Sequence, residues 1–253
     1  MCDSCGCGIT STNEQSTDAT VTVLKNLLSE NDQQAAHNRS HFDKQRVLCI
    51  NLMSSPGSGK TALLEATIDA CDDLSIAVIE GDLETENDAE RIRAKGVSAV
   101  QITTGNACHL DANMVHHALH QIDLTQLDVL FIENVGNLVC PASFDLGQHR
   151  NVTLLSVTEG DDKPAKYPVM FRASDLVLLS KTDLLPFMDD FSPDNVEQHL
   201  KALAKDIPLI PLSAKKQLGF DHWINWLHHQ VQQNREAIQG FQSTSHEAHQ
   251  LAA

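Results

Sequence analysis

The stretch Val47-Leu48-Cys49-Ile50-Asn51-Leu52-Met53-Ser54-Ser55-Pro56-Gly57-Ser58-Gly59-Lys60-Thr61 constrains the chain more than any other. An apolar-rich run of strand length stops abruptly at Ser54, and Ala62-Leu63-Leu64-Glu65-Ala66 then reads as helix. A strand that breaks into a glycine-containing turn and then a helix is a phosphate loop. Its glycines let backbone N–H groups turn toward bound phosphates, and the helix dipole adds positive potential there. Gly57, Ser58, Gly59, Lys60 and Thr61 are therefore the expected nucleotide contacts. Lys60 would reach the β- and γ-phosphates and follow the transferred group, and the Thr61 hydroxyl would hold Mg2+. The strict pattern has glycine at the first loop position, where this chain has Ser54. A chance Gly-Lys-Thr turn would lack the strand before it and the helix after it.

From residue 46 onward strand and helix patterns alternate. Strand-like runs lie at 47–53, 75–80, 97–103, 128–133, 152–158, 175–180 and 207–212, with helical stretches at 61–71, 85–95, 111–121, 194–205 and 220–235. Strands separated by helices imply right-handed crossovers. The expected fold is α/β, a P-loop NTPase with a mostly parallel sheet and helices on both faces. Ligands in such sheets sit beyond the carboxyl ends of the strands. The polar residues that end strands then become candidates. Asp82 in Glu80-Gly81-Asp82 and Glu133 in Glu133-Asn134-Val135-Gly136 could hold Mg2+ through water or orient the attacking water. With Lys60 they form the expected catalytic set, and Gly136 could give a backbone N–H to the γ-phosphate.

Two later strand ends carry the base specificity. Strand 175–180 runs into Ser180-Lys181-Thr182-Asp183, and the Asp183 carboxylate can accept the N1–H and N2–H donors that guanine has and adenine lacks. The Lys181 stem can lie along the base. Strand 207–212 runs into Ser213-Ala214-Lys215, where a backbone N–H of Ser213 or Ala214 can donate to guanine O6. Both motifs at successive strand ends, after a phosphate loop, specify GTP and GDP.

The N-terminus carries different chemistry. Met1-Cys2-Asp3-Ser4-Cys5-Gly6-Cys7-Gly8 places Cys2, Cys5 and Cys7 two or three residues apart, so their thiolates can converge on one soft ion. With the Cys2 amine as fourth ligand, a square-planar site suits Ni2+; tetrahedral Zn2+ is the rival, and a redox-active or flexible thiol tail is the third reading. Seven cysteines in 253 residues do not read as a disulfide framework. Residues 9–20 read as a flexible polar linker, and Val21, Leu24, Leu27 and Leu28 as a short amphipathic helix followed by a polar stretch to Gln45. His37 and His41 could share a metal on one helix face but read as solvated surface, as do His116, His117 and His120. The expected organisation is a Cys-rich metal-binding head and linker at 1–20, a helical segment at 21–45, the GTPase domain at 46–238 and a polar tail at 239–253.

Eighteen Lys and Arg against 34 Asp and Glu give a formal charge of −16. That balance argues against nucleic acid or an anionic membrane as principal partner. No apolar stretch approaches the ~20 residues of a membrane span, and no signal-like start is present, so a cytoplasmic chain is expected.

Taken together these motifs resemble the HypB family of nickel-incorporation GTPases, P-loop NTPases that also include the urease GTPase UreG. The resemblance runs through the Cys-x-x-Cys-Gly-Cys head, Asn38-Arg39-x-x-Phe42, the phosphate loop and Glu80-Gly81-Asp82. It continues through Thr104-Gly105-Asn106-Ala107-Cys108-His109-Leu110-Asp111-Ala112, Glu133-Asn134-Val135-Gly136-Asn137-Leu138-Val139-Cys140-Pro141 and Asp183-Leu184-Leu185-Pro186. Ser180 stands where the family's guanine motif usually has Asn, and a long histidine-rich tract is absent. The resemblance implies a GTP-hydrolysing metallochaperone that delivers Ni2+ during nickel-iron hydrogenase maturation. It also implies a second nickel or zinc site of Cys108, His109 and Cys140 shared across a GTP-favoured homodimer. The implied partners are a HypA-type nickel and zinc accessory protein and the hydrogenase large-subunit precursor. Cys49 and Cys71 fall on a strand and a helix and read as small hydrophobes. The rivals are a urease-type nickel GTPase and a nickel-storage or metal-buffering protein with a vestigial nucleotide site.

Overall fold

Strand β1 (Leu48–Ser54) is buried along its whole length, and its side chains alternate between two apolar layers. Leu48, Ile50 and Leu52 face one way, packing with Leu63 and Leu64 of α2 (Lys60–Ala70) and with Trp223 and Leu227 of α8 (Phe220–Gln250). Cys49 faces the other way, in one layer with Phe42 of α1 (Glu14–Gln45) and Val115 of α4 (Ala112–Leu119). A strand buried on both faces needs helices on both sides, which parallel crossovers supply.

The computed structural model describes the backbone of residues 14–82, 87–105, 107–203 and 206–250, with side chains from 27 to 238 within those ranges. The remaining strands are β2 (Ile76–Asp82), β3 (Ser98–Thr103), β4 (Val129–Glu133), β5 (Arg150–Ser156), β6 (Leu176–Ser180) and β7 (Leu209–Pro211). They form one seven-stranded sheet in the order β3-β2-β4-β1-β5-β6-β7, and every pairing is parallel. The order reverses beside β1, so the crevice for a ligand opens at its carboxyl end. Helices α3 (Asn87–Arg93) and α7 (Pro193–Lys201) fall where helical periodicity places them. The short α5 (Lys163–Lys166) and α6 (Pro168–Ala173) were not legible in the sequence. Each has a proline in its first two positions and is too brief to show a period.

The ends of the chain differ from expectation. α1 begins at Glu14, inside the stretch read as linker, and continues unbroken through the polar residues to Gln45. Its polar residues are there to dock. Asn38 Nδ2 donates to Ala112 O at 2.8 Å and Leu146 O at 3.1 Å, and Arg39 pairs with Asp145 at 3.0 Å while also donating to Gln148 O at 2.9 Å. α8 likewise runs on as helix to Gln250, through most of the stretch read as a polar tail. Among the described residues, no helix is long and apolar enough to cross a membrane.

Candidate nucleotide and metal sites

The phosphate loop leaves β1 at Ser54 and enters α2 at Lys60. Gly59 takes φ 100° at the α2 N-cap, a left-handed conformation that a side chain would strain. Lys60 Nζ donates to Ser54 Oγ at 3.0 Å, so the serine at the unusual loop position anchors the lysine that a phosphate would engage. Gly136, in the loop after β4, lies so close to the phosphate loop that a Cβ there would come within 2.8 Å of Pro56 Cα. Pro56, Gly59, Lys60 and Gly136 line one cavity of about 390 Å³, together with Glu80, Asp82, Asp88 and Glu133.

Parallel pairing of β2 with β4 puts Glu80 directly beside Glu133. The two are 2 % and 4 % exposed. Thr61 Oγ1 donates to Glu133 Oε1 at 3.0 Å, and Lys60 Nζ lies 3.9 Å from the same oxygen. Burial and then the Glu133 charge push the Glu80 carboxyl up to about 11. Burial raises Glu133 as well, but Lys60 and the Glu80 and Thr61 hydrogen bonds oppose it. Glu80 therefore keeps its proton. Glu80 Oε2 and Glu133 Oε2 are buried without a hydrogen-bond partner, a costly arrangement that a hard cation would relieve. Asp88 of α3 completes a trio whose ligand oxygens lie within 4.8 Å of one another. Asp82 ends β2 and lines the same cavity but is not one of the trio. Glu80 and Asp88 thus join the candidate Mg2+ ligands that sequence reasoning had limited to Thr61, Asp82 and Glu133. The available signal was that Glu80 and Asp82, two apart on a strand, point the same way.

A second cavity, of about 310 Å³, opens on the far side of the phosphate loop and is lined by Ser58, Ser180, Lys181, Asp183, Ser213 and Ala214, among others. Lys181 has φ 59° and donates from Nζ to Gly57 O at 2.6 Å. Ser180 Oγ donates to Ser58 O at 2.8 Å. Even without the longer amide, then, the base loop is tied to the phosphate loop. Ser213 N donates to Leu218 O at 2.9 Å, which folds the Ser213–Lys215 turn over this pocket.

Cys108 and His109 sit on the loop between β3 and α4, and Cys140 on the segment after β4. The fold brings the three together, with ligand atoms within 4.8 Å of one another. The two sulfurs are 3.0 Å apart as free thiols, and Cys108 Sγ lies 3.7 Å from His109 Nδ1. His109 stacks on Phe144 with centroids 3.9 Å apart, and burial lowers its pKa, keeping the imidazole neutral and able to ligate. The Cys108 hydrogen bond and then burial raise Cys140, so that thiol holds its proton until a cation displaces it. Cys49 and Cys71 are buried thiols pushed up by burial, in keeping with a packing role. Cys2, Cys5 and Cys7 lie outside the described residues.

Asn134 connects the two sites. It follows Glu133 directly, and its Oδ1 accepts from Leu110 N at 3.2 Å and from Val135 N at 3.0 Å. Its Nδ2 donates to Asn51 Oδ1 at 3.1 Å, and Asn51 Nδ2 donates to Asn151 Oδ1 at 3.1 Å. The backbone next to His109 is thereby held by the residue next to Glu133.

Residues 48–211 match the family described as "CobW/HypB/UreG, nucleotide-binding domain". The hydrogenase maturation factor HypB of Azotobacter vinelandii is 52 % identical over 209 residues, covering 82 % of this chain and 69 % of that protein. The chain belongs to the HypB family of hydrogenase maturation factors. HypB of Escherichia coli K12 is 50 % identical over 202 residues, 79 % of this chain and 69 % of its own. The crystal structure of HypB from Helicobacter pylori in complex with nickel superposes with TM-score 0.78 at 43 % identity, covering 81 % of this chain and 97 % of that one. HypB from Archaeoglobus fulgidus gives 0.75 at 37 % identity, covering 81 % and 100 %. The HypB match spans the phosphate loop, both carboxylate strands, Cys108, His109, Cys140 and Asp183. The nucleotide-binding-domain model itself covers residues 48–211, so it stops just before Ser213 and leaves α1 outside.

Proposed function

We propose that this HypB-family chain is a GTPase and nickel metallochaperone, hydrolysing GTP to GDP and phosphate and using the cycle to deliver Ni2+ during nickel-iron hydrogenase maturation. The observation that carries the reading is the Asn134 connection between the buried carboxylates and the Cys108-His109-Cys140 cluster. Lys60 binds the β- and γ-phosphates, Gly136 N–H meets the γ-phosphate, and Asp82 and Glu133 orient the attacking water. Asp183 and Lys181, with the Ser213 and Ala214 backbone, select guanine. Mg2+ bound by Thr61 and the acidic cluster would neutralise charge on the phosphate oxygens. When the γ-phosphate leaves, the Glu133–Gly136 segment is free to move, and Asn134 carries that movement to Leu110 and hence to His109.

In this reading Cys108, His109 and Cys140 hold Ni2+, with Zn2+ as the alternative ion, and GTP favours a homodimer in which the partner completes the coordination. Val139, 59 % exposed beside Cys140, offers an apolar contact there. Cys2, Cys5 and Cys7 form a separate nickel site. The expected partners are a HypA-type nickel and zinc accessory protein and the hydrogenase large-subunit precursor, all in the cytoplasm. A urease client is the second reading. It is favoured by the Helicobacter hepaticus and Helicobacter pylori relatives named hydrogenase/urease maturation factor, 50 % and 42 % identical over 200 and 225 residues. The deciding experiment measures GTP turnover with and without Ni2+, and Ni2+ affinity with and without a non-hydrolysable GTP analogue. Turnover that responds to Ni2+, with nucleotide-dependent affinity, supports the reading. A protein that binds nickel but neither hydrolyses GTP nor responds to it is a metal buffer.

A further inference from the structure

Helices α1 and α4 bring together three imidazoles, two on α1 and a third at least 75 residues further along the chain, that belong to neither site above. His37 and His41 are four apart on α1, so they share a face, and their Nε2 atoms are 3.0 Å apart. His116 of α4 joins them, its ring centroid 5.2 Å from His37 and 6.0 Å from His41. One nitrogen from each ring falls within 4.8 Å of the others. Sequence reading put all three on solvated surface, yet His41 and His116 are half-buried and His116 Nδ1 is buried with no hydrogen-bond partner. We infer that His37, His41 and His116 form a third metal site, taking one borderline divalent transition-metal ion such as Ni2+ or Zn2+ with its remaining positions open to solvent.

The geometry suits such an ion. Imidazole bonds of ~2.0–2.1 Å place neighbouring donors on one ion roughly 3 Å apart, which is the separation of the His37 and His41 nitrogens. Three imidazoles without a carboxylate or thiolate favour nickel, zinc or copper over Mg2+ or Ca2+. The scaffold is already assembled, because Asn31 Oδ1 accepts from Ala112 N at 2.9 Å and Asn38 Nδ2 donates to Ala112 O. Loading therefore needs little rearrangement. Burial first, then the neighbouring His37, Lys44 and His120, lowers His41; burial and the facing His120, His37, His41 and His117 lower His116. Neutral rings with free lone pairs are thus available near neutral pH. His120 lies 4.9 Å from His116, ring to ring, and is placed to add a fourth donor. With three side-chain donors and open positions, the site would load and release faster than a four-thiolate or mixed closed one. One of its ligands, His116, sits on the helix that follows the Cys108-His109 loop, and the site needs no nucleotide.

The test uses the full chain without nucleotide. Ni2+ and Zn2+ are titrated into the wild type, into the His37→Asn/His41→Asn/His116→Asn variant and into His117→Asn, with circular dichroism confirming the fold of each. His117 is the control because its Nδ1 already lies 2.7 Å from Asn113 O. The expected result is that the triple variant loses about one bound equivalent while His117→Asn loses none. In the wild type, Zn2+ should shift the 15N resonances of His37, His41 and His116; if the triple variant folds poorly, His116→Asn takes its place, and the Zn2+-induced shifts of His37 and His41 should be weakened there. Equal stoichiometry in all three proteins overturns the inference. So does a loss shared by His117→Asn, which would mark diffuse binding to surface histidines. GTP turnover of the same proteins should be unchanged, so failure here is separate from failure of the GTPase reading.

Discussion

Glu80 and Glu133 are held on neighbouring strands at the centre of the sheet, whereas Cys108 and Cys140 project from loops at its edge and are half-buried. The strand pair is fixed by ladder hydrogen bonds on both sides, and it keeps two carboxyl oxygens buried and unpaired. The cysteine pair has no such constraint. It sits on loops, tied to the rigid region through Asn134 and through Thr104, whose N donates to Asp82 O at 2.9 Å and whose Oγ1 donates to Ala107 O at 2.9 Å. A rigid charge-bearing site beside an adjustable soft-ligand site is what the proposed coupling requires: one end would sense phosphate, and the other would change its grip on a metal.

The sharpest way to break this comparison is Lys60→Ala. Lys60 is the cation nearest the carboxylate pair and the group aimed at the phosphates, so GTP turnover should fall by on the order of 10²–10³-fold or more. The cysteine site should still bind Ni2+, with an affinity that no longer depends on hydrolysis. Single-turnover assays read the first and competition with a chromogenic chelator the second. Turnover close to wild type would place the active site elsewhere.

Next in size is base choice. Asp183→Asn should weaken GTP by roughly 10–100-fold, the worth of hydrogen bonds to a charged group, and improve xanthosine triphosphate, whose 2-oxo group accepts from the new amide. Competitive nucleotide binding measures both. An unchanged preference between the two bases would remove Asp183 from the base pocket.

These two residues were readable from the sequence for a physical reason. Phosphate and guanine contacts occur at strand ends, and all seven strands announced themselves as apolar runs of strand length. Glu80 was harder, because an acid inside a buried strand gives no sign of its neighbour until β2 is paired with β4. Asp88 was harder still, being one acid among several on a short amphipathic helix. α1 was read only in part, as a helical segment at 21–45 whose polar residues look solvated, among them Asn31, Asn38 and Arg39. In the fold they bond to α4 and to the 145–148 loop, contacts between residues 74 to 114 apart in the chain. The His37-His41-His116 cluster stayed hidden for the same reason: it depends on α1 docking against α4.

The coupling itself can be tested at both ends and in the middle. Cys108→Ala or Cys140→Ala should abolish the effect of a GTP analogue on metal affinity, a factor of about 5–150 for a typical coupling of ~1–3 kcal/mol. By reciprocity, the effect of metal on GTP-analogue affinity should vanish in equal measure. Replacing Cys2, Cys5 and Cys7 together should remove a tight nickel site and leave that factor intact. If the head variant alone loses the coupling, the roles of the two cysteine groups are reversed. Asn134→Ala retains every proposed ligand but strands Leu110 N and Val135 N, so it should preserve metal binding and lower the coupling factor. An Asn134→Ala protein with the full factor would show that the signal takes another route.

The smallest effect expected is on stability, and it isolates the rigid region. In metal-free, nucleotide-free protein Glu80 keeps its proton up to about 11, whereas its ordinary value is 4.5. Between those values the folded state binds a proton that the unfolded state has lost, so stability falls as pH rises through the window. Glu80→Gln removes this titration while keeping the shape and one donor toward Glu133. The variant should therefore melt higher than wild type near neutral pH in the presence of a chelator, by roughly 2–4 °C per kcal/mol recovered, and its Tm should fall less steeply with pH. Mg2+ should narrow the gap, because the cation stabilises the ionised wild-type pair and finds a poorer ligand in Gln. A Glu80→Gln protein with the same Tm–pH slope as wild type would mean that Glu80 is ionised in the folded state. The carboxylate pair would then be relieved by solvent, not held under electrostatic strain, and it would no longer contrast with the cysteine edge.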